Sequence, residues 1–73
     1  MSESEALKIA RAEAQRHGWP WEEPIAAMAR RRFLVFGAKR WEILSNARAR
    51  GRNVSVWIDD ETGRVLASGY NER

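Results

Sequence analysis

The sequence contains no cysteine and only one histidine, His17. No disulfide can form within the chain, and the zinc sites that stabilise many small domains require several Cys or His ligands. No apolar run approaches the roughly 20 residues of a membrane-spanning helix. Residues 1–11 carry four charged side chains where a signal peptide would be apolar. The sequence therefore predicts a cytoplasmic protein without a metal ion or cofactor.

The chain is short, at 73 residues, so its core is small. A chain of this length buries only about 60% of the surface that its unfolded form exposes. Aliphatic and aromatic side chains must build the core without covalent help, and four tryptophans suit that need. No linker, repeat or low-complexity segment is present, which predicts a single domain over residues 1–73.

The net charge of +3 is distributed unevenly. Residues 30–52 contain eight basic residues against Glu42 alone, a net charge of +7, while the segments on either side are each net negative. This segregation, rather than the total charge, marks residues 30–52 as a candidate surface for an anionic partner.

An amphipathic α-helix is predicted at about residues 4–17. Ser2 and Glu5 have the spacing of a capping box, and strong helix formers follow them. The helix has one apolar stripe, formed by Leu7, Ala10 and Ala14 with Ile9 beside it.

The end of this helix is marked by Gly18, which suits the left-handed position after a helix, and by Pro20 beyond it. His17 would lie in the last turn, where the helix dipole favours a cation. We interpret His17 as a helix-terminal residue rather than as a metal ligand or general base.

Four strands are predicted after the helix, at about residues 25–36, 40–49, 53–60 and 64–70. The first has two interpretations, because the Ala, Met and Arg residues of 25–32 are good helix formers. We favour one long, bulged strand over a short helix followed by a strand. Turns are expected at Gly37-Ala38-Lys39 and around Gly51 and Asn53.

The alternation of side chains assigns the two faces of the sheet. Val54, Val56 and Ile58 share one face, which is predicted to lie beneath the helix. Trp57 and Leu44 are predicted to lie on the opposite face. The fold class is therefore α+β, with one N-terminal helix packed on a three- to four-stranded antiparallel sheet.

The last hairpin reads VSVWIDDETGRVL from Val54 to Leu66. Asp59 and Thr62 are suited to hydrogen-bond the turn backbone, and Gly63 is suited to a positive φ. A cation site on the acidic residues 59–61 is the less favoured alternative, because adjacent side chains on a tight turn do not converge on one ion.

This hairpin has the form VxVxIDxxTGxVL. With the helix EALKIARAEAQRHGW and the strand segment WEIL, it resembles the PepSY and cystatin-like small domains. The resemblance implies a helix-on-sheet fold, the absence of catalytic residues and a role in binding or restraining other proteins.

The residues also argue against catalysis. The five glycines form neither a phosphate-binding loop nor a dinucleotide fingerprint, and no serine lies in a nucleophile-elbow sequence. We therefore expect no enzymatic activity.

The favoured function is protein interaction or self-association as a homodimer through the uncovered sheet face. Trp and Arg are enriched at binding hot spots, and the candidate residues are Leu44, Arg48, Arg50 and Trp57. In the structural alternative, Trp57 covers the sheet by itself with an arginine stacked across it.

The second hypothesis is nucleic-acid or other polyanion binding, in which the basic segment neutralises phosphates and an aromatic ring stacks on bases. Its candidate residues are Arg30, Arg32, Lys39, Arg40, Arg48, Arg50 and Arg52. No nucleic-acid-binding motif accompanies them, so protein interaction is preferred.

Overall fold

The chain folds as one N-terminal helix packed on a four-stranded antiparallel sheet, which confirms the predicted α+β class. The structure is a computed structural model that describes residues 1–33 and 36–72, with side chains throughout except at residues 32–38. The elements are α1 (Glu3–His17), β1 (Ala26–Phe33), β2 (Phe36–Leu44), β3 (Asn53–Asp59) and β4 (Val65–Asn71).

Helix α1 begins and ends as its sequence predicts. The Ser2 hydroxyl accepts a hydrogen bond from the Glu5 N–H at 3.2 Å, and the Glu5 carboxylate accepts one from the Ser2 N–H at 3.1 Å, which completes a capping box. At the other end, Gly18 has a φ of +73° and donates its N–H to Gln15 O at 3.1 Å. Glycine adopts this left-handed conformation without steric cost, so the helix stops here.

The four strands lie in the sheet in their sequence order, β1-β2-β3-β4, and each pairs antiparallel to the next. One face of the sheet carries α1, which packs chiefly over β3 and β2. We call this the helix-side face and the opposite one the outer face. Strands β1 and β4 are the two edges of the sheet.

The core lies between α1 and the helix-side face. Val54, Val56 and Ile58 are fully buried there, as the period of two predicts. Ile43 on β2 lies opposite Val56 and is also fully buried.

The helix contributes small residues to this core. Three alanines, spaced four residues apart, are fully buried: Ala6, Ala10 and Ala14. Leu7 and Ile9, which the sequence places in or beside the apolar stripe, are only partly buried at its margins. Because alanine ends at its β-carbon, the helix can lie close to the sheet, and the larger side chains flank the contact instead of separating the two layers.

Residues 26–33 form strand β1, so the favoured strand interpretation of 25–32 is correct and the short helix is not found. The predicted turn at Gly37-Ala38-Lys39 is wrong, because β2 already starts at Phe36 and Lys39 pairs with Arg31. Gly37 lies where the β1–β2 register shifts, and a glycine within a strand often marks such an irregularity. The first predicted strand, 25–36, ends too late, because β1 ends at Phe33 and Phe36 already belongs to β2. Leu34 and Val35 lie outside the described residues.

The second predicted strand, 40–49, ends too late. Strand β2 stops at Leu44, and residues 45–52 form a loop of bends and a turn. The Ser45 hydroxyl accepts from the Val54 N–H at 2.8 Å, and Asn46 then turns the chain with a φ of +50°. The connector before β1 holds the loop, because Asn46 N–H donates to Glu22 O at 2.6 Å.

The side chain of Asn53 closes this loop from within. Its buried amide group donates to Ser45 O and Asn46 O, both at 2.9 Å, and lies 3.4 Å from Ala49 O. Asn46 O also accepts from the Ala49 N–H at 3.0 Å, but the buried Ser45 residue depends on Asn53 for its carbonyl, and a buried carbonyl without a partner costs free energy. The hydrogen bonds of the Asn53 side chain therefore favour a loop at residues 45–52 over the predicted continuation of the strand to residue 49.

The β3–β4 turn follows its prediction. The Asp59 carboxylate accepts from the N–H groups of Glu61 and Thr62, at 2.8 and 3.0 Å, and Gly63 has a φ of +76°. The Asp59 carboxylate thus serves the turn backbone, and among the described residues no group of three or more His, Asp or Glu side chains could hold a metal ion. Of the part of the chain that the structure describes, no helix has the length and apolarity to cross a bilayer.

Candidate functional site

The outer face has no described element packed against its centre, and its side chains form cross-strand rows. One row joins all four strands and consists of Met28, Glu42, Trp57 and Ala67. The adjacent row consists of Ala26, Leu44, Ser55 and Gly69. Directly opposed residues of antiparallel strands share a face, so these eight positions all lie away from the helix.

Two large apolar side chains are exposed, one at each edge of the sheet. Met28 on β1 is 44% exposed and Leu66 on β4 is 49% exposed. The β-bulge between Trp57 and Ile58 interrupts the alternation of β4, so Leu66 has no residue opposite it and lies between Val65, which packs on the core, and Ala67 of the outer face. With Leu44 and Trp57, which are half-buried between them, these residues form what we call the apolar patch: Met28, Leu44, Trp57 and Leu66.

The patch carries two charged contacts at one border. The Arg40 guanidinium lies 4.6 Å from the centre of the Trp57 ring, a cation–π distance. Arg30 Nε lies 3.6 Å from the Glu42 carboxylate, so the one acid in the central row has a partner. The arginine stacked on Trp57, expected in the structural alternative, is present and is Arg40.

The four candidate partner-binding residues do not lie together. Leu44 and Trp57 occupy adjacent rows of the outer face. Arg48 and Arg50 lie instead in the loop of residues 45–52, and their expected position on the sheet face is wrong because β2 ends before them. Sequence analysis did not identify Met28 and Leu66 as candidates. Met28 lies among alanines, which give no alternation signal. Leu66 directly follows another apolar residue, Val65, so the pattern does not assign it to a face.

The basic candidate residues are divided between the two ends of β2. Arg30, Lys39 and Arg40 lie toward its beginning, and Arg48, Arg50 and Arg52 lie beyond its end. The side chain of Arg32 lies outside the described residues. Several of the others are already engaged: Arg30 with Glu42, Lys39 at 4.0 Å from Asp60, Arg40 on Trp57, and Arg52 at 2.7 Å from Glu22. The segment of net charge +7 is therefore not one continuous basic surface.

A polar cluster that sequence analysis did not identify joins the end of α1 to β4. Its centre is Glu13, whose side chain is only 8% exposed. Glu13 Oε2 accepts from the Ser68 hydroxyl at 2.7 Å and from Arg16 Nη2 at 3.0 Å, and it lies 2.9 Å from His17 Nε2. The Arg16 and Ser68 hydrogen bonds lower the pKa of Glu13 to about 2, against the opposing effect of burial.

His17 belongs to this cluster and to a short aromatic stack. Its ring lies parallel to the Trp19 ring at 4.1 Å, and Trp19 in turn stacks on Tyr70 at 6.3 Å. Serine and histidine both contact the same carboxylate here, so the histidine does not stand between the serine and the acid as it does in a catalytic triad. A carboxylate with a pKa near 2 is also a poor proton acceptor at neutral pH. The cluster fastens the helix to the sheet.

Asp60 fastens the opposite end of the helix-side face. Its Oδ1 accepts from the Trp41 indole N–H at 2.7 Å and lies 3.5 Å from the Met1 amino nitrogen. The Trp41 hydrogen bond is the main reason that the pKa of Asp60 is lowered, and the Lys39 charge adds to it. Trp41 is thereby held in the core with its one polar atom satisfied.

A groove runs between α1, the segment that precedes β1 and the loop of residues 45–52. Its first section has a volume of about 390 Å³ and an apolar lining of Leu7, Trp21 and Ile25. A second section of about 620 Å³ shares Leu7 and Ile25 and reaches Arg48. The charged residues along the two sections are Glu3, Lys8, Arg11, Glu23 and Arg48.

Comparisons with known proteins do not assign this chain to a group: no family model, curated protein or solved structure matches it.

Proposed function

We propose that this chain is a non-enzymatic protein-interaction domain that self-associates, two copies packing through their outer faces. The observation that carries the proposal is the apolar patch, in which Met28 and Trp57 share a sheet face that no described element covers, and Leu66 is exposed at the β4 edge. Large apolar side chains gathered on one face of a small domain are typical of an interface. A second copy offers the same surface in return.

The size of the outer face suits a dimer. Four strands spaced about 4.8 Å apart and about 20 Å long give a flat footprint of roughly 400 Å². Two such faces together bury roughly 800 Å², below the roughly 1,200 Å² at which stable interfaces begin, so we expect a weak, reversible dimer. A domain of 73 residues without disulfide or metal gains stability from such additional burial.

The shape of the face suits packing against itself. Its central row presents the large side chains of Met28 and Trp57, while the adjacent row presents Ala26, Ser55 and Gly69 around a single Leu44. When two sheets pack face to face about 10 Å apart, large side chains of one fill the spaces over small side chains of the other.

Each charged side chain at the border of the patch has a partner within the chain, which it keeps when the patch is buried. Glu42 has Arg30 beside it, and a buried carboxylate is tolerated when its partner remains in place. Arg40 lies over Trp57, and the attraction between a cation and an aromatic ring grows when water is removed. Both pairs therefore survive, or strengthen, when a second sheet covers the face.

The resemblance to PepSY and cystatin-like domains supports a binding role rather than catalysis. We also propose that the protein is located in the cytoplasm.

Light scattering over a concentration series tests the dimer. We expect wild-type protein to shift from monomer to dimer, and the double variant Met28→Glu/Leu66→Glu to stay monomeric because it places two carboxylates in the interface. The matched control, Ala12→Glu/Gln15→Glu, adds the same charge at exposed helix positions and should still dimerise.

Two results would overturn the dimer proposal. One is a wild-type protein that remains monomeric up to about 1 mM, since an association weaker than this contributes too little to be a function. The other is a Met28→Glu/Leu66→Glu variant that dimerises as well as the control. Retention on heparin at about 0.15 M salt, with a steep loss at higher salt, would favour the polyanion hypothesis instead.

A further inference from the structure

The two edges of the sheet differ in sequence. Strand β1 contains three consecutive arginines, residues 30–32, and charged residues on an edge strand discourage another strand from pairing with it. Strand β4 is the other edge and reads VLASGYN, with neither a charged residue nor a proline. The hydrogen-bonding edge of β4 is therefore the less protected of the two.

The backbone groups of β4 that face away from β3 follow from the bonds of Val54. The Val54 carbonyl accepts from the Ser45 N–H at 2.9 Å, and the Val54 N–H donates to the Ser45 hydroxyl at 2.8 Å. The backbone of Val54 thus points toward β2 and not toward Tyr70, the residue opposite it on β4. Because bonded and non-bonded pairs alternate along antiparallel strands, the N–H and C=O groups of Tyr70 and Ser68 point out of the sheet.

Leu66 adds to this outward edge. It is the extra residue of the bulge in β4, has no residue opposite it on β3, and is 49% exposed. The extra residue of a bulge is left unpaired in its own ladder, so its backbone groups are open to another strand. The outward edge of β4 thus consists of Leu66, Ser68 and Tyr70.

Charged residues of opposite sign flank this uncharged strand. Arg64 precedes β4 and Glu72 follows it, and both are exposed. Neither takes part in an ion pair among the residues that the structure describes. Ser68 lies midway, four residues from each. When two copies of β4 pair antiparallel about Ser68, Arg64 of each copy is therefore opposite Glu72 of the other.

The hydrogen bonds and the charges agree on this register. Ser68 lies opposite Ser68 of the second copy, and since its N–H and C=O groups point outward, the two form a hydrogen-bonded pair. Leu66 lies opposite Tyr70 of the second copy. Sliding one strand by two residues keeps outward groups facing each other but separates Arg64 from Glu72. Opposite charges directly across a strand pair stabilise it, so the charges select the register centred on Ser68.

We propose that β4 pairs antiparallel with β4 of a second copy, centred on Ser68, so that two four-stranded sheets join into one sheet of eight strands. Two ion pairs between Arg64 and Glu72, one at each end, fix the register. The contact has two-fold symmetry and uses β4 of both copies, so it closes at two chains. It lies in the plane of the sheet and leaves the outer faces open, which makes it a contact separate from the outer-face dimer.

Charge reversal at the two ends of β4 tests the pairing. Arg64→Glu sets two glutamates opposite each other at both ends, and Glu72→Arg sets two arginines, so each variant should dimerise about tenfold more weakly. Mixed together, the two variants should form a heterodimer, because one copy then supplies only glutamates and the other only arginines. The double variant Arg64→Glu/Glu72→Arg restores opposite charges and should dimerise as well as the parent protein.

Every protein in this series carries Met28→Glu, which places a carboxylate on the outer face at the β1 edge and so weakens the outer-face contact. Leu66 is left unchanged because it lies on the β4 edge. Light scattering up to about 1 mM measures association. Hydrogen exchange at the Ser68 and Tyr70 amides of ¹⁵N-labelled protein should slow as the concentration rises. Arg50→Glu, at an exposed loop position, makes the same charge change as Arg64→Glu and should dimerise like the parent.

Three results would each overturn the β4 pairing. They are exchange at Ser68 and Tyr70 that does not slow with concentration, an Arg64→Glu variant that dimerises as well as Arg50→Glu, and a mixture of the two single variants that associates no better than either alone. Failure of the outer-face dimer looks different: wild type and Met28→Glu would then associate equally, and the dependence on the charges of residues 64 and 72 would remain.

Discussion

The guanidinium of Arg40 lies 4.6 Å from the centre of the Trp57 ring, on the sheet face opposite the helix. The contact holds the largest side chain of that face against the sheet and shields one side of its ring from water. The contact therefore stabilises the single chain, whether or not a second copy covers this face. Its contribution to stability can be separated from its role in association by working at low protein concentration.

Arg40→Ala should lower the free energy of unfolding by about 0.5–1 kcal/mol, the usual range for an exposed cation–π pair. Urea denaturation at low concentration measures this loss. Arg50→Ala, at an exposed loop position, is the control and should have no comparable effect. In a Trp57→Leu background the Arg40→Ala change should cost almost nothing, and an undiminished cost there would show that Arg40 acts through some other residue.

Glu13→Gln should lower the free energy of unfolding by about 2 kcal/mol near neutral pH, because hydrogen bonds to a charged carboxylate are among the stronger ones. The folded-state pKa of Glu13, about 2, is below its ordinary value of 4.5. The stabilisation from the carboxylate is therefore complete above the unfolded-state pKa and is lost as the pH falls from about 5 toward 2.

Urea denaturation of wild type and Glu13→Gln between pH 7 and about pH 2.5 measures this dependence. The difference between the two proteins should shrink steadily as the pH falls below about 5. Glu61→Gln, at an exposed turn position, should track the wild type throughout. If the difference in the free energy of unfolding between wild type and Glu13→Gln stays constant with pH, the negative charge of Glu13 does not contribute to stability.

Ala10→Leu should destabilise the protein by about 1–3 kcal/mol, because its extra atoms must enter a fully buried contact between helix and sheet. Ala12→Leu, two residues along the same helix, is exposed and should change stability by no more than about 0.5 kcal/mol. Thermal or urea unfolding of the pair makes the comparison. If the two substitutions change stability equally, the buried alanines do not form the contact between helix and sheet.

Asn53→Ala should cost about 1–3 kcal/mol, since it leaves the buried Ser45 carbonyl without its donor and removes one of two donors to Asn46 O. Asn53→Asp should cost at least as much, because a carboxylate cannot donate to a carbonyl. The loop amides should also exchange faster in both variants. Normal exchange in the loop together with lost stability would place the role of Asn53 elsewhere.

The sequence predicts best where one physical rule acts without competition. Val54, Val56 and Ile58 alternate with polar or aromatic residues, and all three are buried as expected. The helix boundaries follow from Ser2, Glu5 and Gly18, whose capping roles depend only on residues a few positions away.

Prediction fails where a distant contact decides the outcome. Residues 45–49 continue the alternation of β2, but the amide of Asn53 and the carbonyl of Glu22 draw the chain into a loop. Arg48 and Arg50 leave the sheet face for that reason. Glu13 looks like an ordinary helix surface residue until Ser68, 55 positions later, comes within 2.7 Å of it. The apolar patch was half identified, because Leu44 and Trp57 alternate clearly and Met28 does not.

The sheet is a simple meander, since each strand pairs only with the next one along the chain. Its contacts form by three local closures, the longest of them spanning the residues 45–52, and none requires strands far apart in sequence to find each other. Short loops cost less entropy to close than long ones, so each strand can pair as soon as the next one along the chain is available. This order of pairing shortens the time in which an unpaired strand edge is open to aggregation.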